Sequence, residues 1–217
     1  MLTPEEFRKG WTPFGLLSNF DSSIAQTMTL PVGAIEFLTN AGLPPRIDYP
    51  LNITRLFPLL PLLEEIHESP EFLILDGKQL CVFAAWYRKG NFLSYYCLDL
   101  PGGEVYVVDA LIPKHILPRF ANSSIQQFAE FLLIMKRALA LIEARIADTP
   151  HQEFEEIDNA ITAEIAAQTL RALCLSDPAA CAEAENYLQT GSFFGDLEIP
   201  TREWTMAVLN LEWNRWF

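Results

Sequence analysis

The feature that most constrains this chain is a ladder of short apolar runs between residues 72 and 110, each ended by turn residues. Phe72 to Leu75 stops at Asp76-Gly77, Leu80 to Tyr87 at Lys89-Gly90-Asn91, and Phe92 to Leu98 at Pro101-Gly102-Gly103; Glu104 to Ala110 completes the set. Runs of this length, rich in aromatic and β-branched residues and bounded by Gly, Pro, Asn and Asp, read as strands. The pattern predicts an antiparallel meander of four strands. Asp76-Gly77 and Gly90-Asn91 suit hairpin turns, because positive φ costs little there.

Helical text surrounds the meander. Ile125, Phe128, Ala129, Leu132, Leu133, Met135, Leu139 and Ile142 keep mostly helical spacing after Asn122-Ser123-Ser124. Ser123 with Gln126, or Ser124 with Gln127, can form a capping box, and the helix is expected to cover one face of the sheet. Upstream, Pro31 suits the first position of a helix over 32–39, Gly42 reads as its stop, and Leu43-Pro44-Pro45 cannot continue it. Residues 1–30 read as a turn-rich opening without specified structure, whose aromatics dock onto the main body. Residues 51–70, proline-punctuated and apolar, read as a short helix or irregular packing. Beyond residue 150, Ile157, Ile161, Ile165, Leu170 and Leu173 predict a buried side, with two helices broken at Ser176-Asp177-Pro178. Trp204, Val208, Leu211 and Trp213 predict a final packed helix.

With 217 residues, half of them hydrophobic, the chain fills one core without help from disulfides, and a single domain over 1–217 is expected. That domain divides into a docked opening (1–30), a sheet-and-helix core (31–149) and an acidic helical part (150–217). The most apolar stretch, Phe131 to Ile146, is cut by Lys136, Arg137, Glu143 and Arg145 and so does not span a bilayer. No basic start followed by an apolar core opens the chain, which makes the cytoplasm the default compartment. Cys81, Cys97, Cys174 and Cys181 then read as buried small hydrophobes rather than disulfide partners. A net charge of −13 argues against nucleic acid as a partner.

Catalytic chemistry finds little support. His67, His115 and His151 are isolated, with no second ligand at a metal-like spacing, so neither a metal nor a cofactor is expected. Gly102-Gly103 lies between two predicted strands, where a tight turn explains it better than a phosphate cradle. Glu153, Glu155, Glu156 and Asp158 form the densest acidic group. It reads either as a solvated helix face or as a site for a divalent cation or acid–base pair. From Glu143 to Pro200 there are twelve acidic residues against Arg145 and Arg171, so most of the negative charge sits in the C-terminal third. Such a field serves solubility, or it steers a basic protein partner, with Glu153, Glu155, Glu156, Asp158, Glu164, Glu183 and Glu185 as candidate contacts. Trp86, Tyr87, Tyr95 and Tyr96 are either partner anchors or sheet packing, and alternation places Tyr95 and Tyr96 on opposite faces.

Phe120-Ala121-Asn122-Ser123-Ser124-Ile125-Gln126-Gln127-Phe128 resembles the N-S-S-x-x-Q-F helix start of the SUKH superfamily, in its fourth immunity-protein group. Ile35-Glu36-Phe37-Leu38 through Gly42-Leu43-Pro44 resembles that group's N-terminal segment. Cys97-Leu98-Asp99 with Gly103-Glu104-Val105-Tyr106 resembles its central hairpin, and Trp204 to Glu212 its closing helix. The pieces come in the family's order across residues 31–212, although 150–200 does not align. Gly42, Leu43, Pro44, Asp99, Gly103, Asn122, Ser123, Ser124, Gln127, Phe128 and Trp204 carry the likeness and read as structural. The resemblance implies an α+β fold, with an antiparallel or mixed sheet of about four to six strands flanked by helices and a helical C-terminal third. It also implies a non-enzymatic protein without cofactors that binds and neutralises a bacterial toxin domain, often a nuclease or nucleic-acid deaminase. The alternatives are a regulatory or scaffold module of the same fold, as in fungal cell-wall signalling, and an enzyme with an acidic cleft.

Overall fold

A computed structural model describes residues 2–20, 30–45, 55–56, 72–88, 91–109, 118–147 and 154–181. The chain forms two compact units, residues 1–129 and 130–217. The first is built on a six-stranded sheet in which every pairing is antiparallel. Its strands are β1 (Arg55–Leu56), β2 (Phe72–Leu75), β3 (Lys78–Arg88), β4 (Asn91–Asp99), β5 (Val105–Asp109) and β6 (Arg119–Asn122). Their order is β1-β3-β4-β5-β6, and β2 pairs with β3 beside β1.

The predicted meander is β2 to β5, with Asp76-Gly77 turning β2 into β3; Asn91, expected in a turn, is the first residue of β4 and pairs with Arg88. Asp76 and Gly77 have φ of 50° and 74°, the paired positive values that a two-residue hairpin of matching twist requires. In the central strands apolar residues run on without alternation, and both faces of the sheet are covered there. Tyr96, Leu98, Val105 and Val107 are buried on one face, Cys97 and Val108 on the other, where Leu80 and Tyr106 join them. A strand apolar throughout is what two covered faces select. Tyr95 and Tyr96 point to opposite faces as expected: Tyr95 packs on the cluster of Leu80, Cys97, Tyr106 and Val108, while Tyr96 meets Phe128.

Three elements depart from the sequence reading. The opening is ordered by α1 (Pro4–Trp11), whose start is a complete capping box. Thr3 Oγ1 accepts from the Glu6 N–H at 3.2 Å, and the Thr3 N–H donates to the Glu6 carboxylate at 2.9 Å. Thr3-Pro4-Glu5-Glu6 carries this signature in plain sequence, with proline at the first helical position. β1 lies inside the segment read as a helix or irregular packing, and of that segment only Arg55 and Leu56 are described. β6 ends on Asn122, within what the sequence suggested was already the helix start; pairing Asn122 with Val105 keeps it extended.

Helix α2 (Val32–Asn40) runs as predicted, with Pro31 as its N-cap rather than its first residue. The N-terminal segment is fastened to its far end. Phe7 packs at a tilt between Trp11 and Phe37, and Arg8 Nη1 donates to the Asn40 carbonyl at 3.0 Å, at the negative end of the helix. The opening's aromatics dock through Phe7, Trp11 and Phe20, all buried, and the Phe20 N–H donates to the Leu38 carbonyl at 3.1 Å.

Helix α3 (Ile125–Ala147) resolves the two possible caps in favour of the second. Ser124 Oγ accepts from the Gln127 N–H at 3.2 Å and donates to Gln127 Oε1 at 2.8 Å, whereas Gln126 Nε2 reaches the Gly33 carbonyl at 2.9 Å. Its first turns cover one face of the sheet, where the Phe128 ring meets Phe83 and Tyr96, each at 5.3 Å between centroids. In the second unit, α4 (Phe154–Ser176) buries Thr162, Ile165, Ala166, Thr169, Leu170 and Leu173. It ends at the predicted break, followed by a 3-10 turn over Pro178–Cys181. Of the second helix expected before residue 190, only its start is described, as that 3-10 turn; the rest of it and the closing helix lie outside the described residues.

Candidate functional site

The residues that carry the family likeness build three junctions in the first unit. At the first, Gly42 ends α2 with φ of 73°, a left-handed conformation that releases the chain into Leu43 and Pro44. Ser18 and Leu43 then exchange backbone hydrogen bonds at 2.9 and 3.0 Å. Gly42 is needed twice over, because a Cβ there would lie 2.6 Å from the Ser18 carbonyl carbon and closer still to its oxygen.

The second junction is the turn between β4 and β5. Asp99 accepts from the Gly103 N–H through its carbonyl at 2.8 Å and from the Gly102 N–H through its carboxylate at 3.2 Å. The turn leaves no room at Gly102, where a Cβ would meet Asp99 Oδ2 at 2.7 Å, and Gly103 has φ of 77°. This is hairpin chemistry, with the carboxylate of a nearly buried Asp99 spent on the backbone.

The third junction is the start of α3, where fully buried Asn122 closes β6, Ser124 caps the helix on Gln127, and Phe128 enters the core. A Cβ on Gly103 would touch Pro31, and Gln126 holds Gly33, so the β4–β5 turn and the α3 start both abut the N-terminal end of α2. Gly42, Leu43, Pro44, Asp99, Gly103, Asn122, Ser123, Ser124, Gln127 and Phe128 thus lie at turns, caps and core positions. Trp204 lies outside the described residues.

The acidic candidates belong to the second unit. Glu155, Glu156 and Asp158 fall in the opening turns of α4. Glu164 is exposed two turns on and accepts from Gln168 Nε2 at 2.9 Å. Glu153, Glu183 and Glu185 lie outside the described residues. Among the described residues, no three His, Cys, Asp or Glu side chains come together in a way that holds a metal ion. No helix there is long and apolar enough to cross a membrane.

One polar group was not singled out from sequence. The Tyr106 hydroxyl donates to the Glu104 carboxylate, and the Lys78 ammonium sits 3.9 Å from Glu104 Oε2 and 4.5 Å over the Tyr106 ring. Burial first, and Glu104 next, push the Tyr106 phenol above its usual range; the hydrogen bond to Tyr106 raises Lys78. Phenol and ammonium are therefore both protonated at neutral pH and offer no base. The group ties the start of β3 to β5 across β4. Only the register of the sheet brings residues 78, 104 and 106 together, which is why no spacing in the sequence announces them.

The thiols are equally quiet. None of the four cysteines is in a disulfide; burial pushes Cys81 up to about 12, and raises Cys97 and Cys181 as well. A thiolate is the reactive form, so burial makes these three poor nucleophiles. Ellman's reagent at neutral pH should therefore label the half-exposed Cys174 first, and Cys81, Cys97 and Cys181 only once denaturant unfolds the chain. Rapid labelling of more than one thiol in the native protein would contradict that burial.

A family model described as SUKH-4 immunity protein matches residues 14–189, most of the chain. The chain belongs to the SUKH-4 immunity protein family. That membership supports an immunity role, and the match begins after α1, so the capped N-terminal helix lies outside it. No curated protein and no solved structure matches the chain. Every described SUKH-like motif residue lies within residues 14–189.

Proposed function

We propose that this chain is a cytoplasmic, non-enzymatic immunity protein that forms a stoichiometric complex with one cognate bacterial toxin domain and so neutralises it. The observation that carries this reading is the SUKH-4 match over residues 14–189, which runs across both compact units and supports treating them as one functional module. The toxin is basic, a nuclease or nucleic-acid deaminase, and the acidic C-terminal part is the surface that meets it. Support for the partner's charge comes from the twelve acidic residues against two basic ones between Glu143 and Pro200. Proteins that hold phosphates need cationic surfaces, and an acidic inhibitor can occupy such a surface in place of nucleic acid. Opposite fields raise the rate of encounter more than they deepen the bound state.

The decisive experiment is affinity capture of the tagged chain from its native host, with mass spectrometry of what co-elutes. One stoichiometric basic protein carrying a C-terminal toxin domain is the expected result. A set of host proteins instead would favour a regulatory scaffold and overturn the immunity reading.

With the toxin in hand, the acidic surface can be tested by association kinetics. Replacing Glu153, Glu155 and Glu156 together by Lys should slow association about tenfold or more at low salt and flatten its salt dependence. The Gln variants serve as controls that remove charge without reversing it. Unchanged rates in both sets would exclude these residues from the encounter surface.

A further inference from the structure

We draw no further inference here: the strongest candidate, the solvent-facing side of α4 with Glu164, Gln168, Arg171 and the exposed Leu175, is an unpartnered helix face, and nothing in the structure shows what covers it beyond the partner surface already proposed.

Discussion

Phe128→Ala should destabilise the protein by about 4 kcal/mol, enough to remove much of the stability of an ordinary domain. Phe128 is fully buried in the first unit, its ring within 5.3 Å of both Phe83 and Tyr96. Truncation removes the transfer free energy of a benzyl group and leaves a cavity. Phe83 and Tyr96, which line it, stand on hydrogen-bonded strands β3 and β4, and a close-packed interior relaxes only partly around such a cavity. Phe128→Leu should cost roughly 1 to 2 kcal/mol, because most of the volume is kept. Equilibrium urea unfolding of the two variants beside the parent protein measures both. A loss below about 1 kcal/mol in the alanine variant would mean that the ring does not bridge α3 and the sheet. Any activity of the protein should fall with the folded fraction rather than through a contact of Phe128 itself, since the ring is fully buried.

The second large effect is at Gly42, where an internal comparison separates two causes. Gly42 and Gly77 have nearly the same φ, 73° and 74°, so alanine at either place carries the same left-handed penalty of roughly 1 to 2 kcal/mol. Around Gly77 there is open space, and Gly77→Ala should cost only that. At Gly42 the new methyl would also run into the Ser18 backbone and Asn19 Oδ1, the latter at 2.8 Å. Relief requires parting the Ser18–Leu43 hydrogen bonds, so Gly42→Ala should cost about 3 kcal/mol or more. Thermal unfolding of the pair is the measurement. Equal losses would show that the N-terminal segment does not press on the end of α2.

Family membership gives these positions meaning without making them a binding surface. The three junctions explain why a glycine, an aspartate and a capping serine stand where they do, and each reason is conformational. These conformational reasons leave the acidic C-terminal part as the surface proposed above for the partner. Charge there acts at long range, whereas the junctions act over a single hydrogen bond.

What the sequence determined by itself is what depends on neighbours a few residues apart. Asp76-Gly77 dictates a tight hairpin through its φ preferences, Gly42 ends α2, and Ser176-Asp177-Pro178 ends α4; each was legible because the cause and the effect lie within one turn. The same kind of signal, Thr3 with Glu6, specifies the start of α1, although aromatic and proline content made that segment read as loop. Tertiary structure decided the rest. β6 is a strand because Arg119, Phe120 and Asn122 pair with Val107, Tyr106 and Val105, and the Gln126 side-chain amide goes to the Gly33 carbonyl instead of to a cap. Lys78, Glu104 and Tyr106 meet only through the register of three strands. The physical reason is common to all three: hydrogen bonds and packing between segments far apart in the chain outweigh local preferences of a fraction of a kcal/mol per residue.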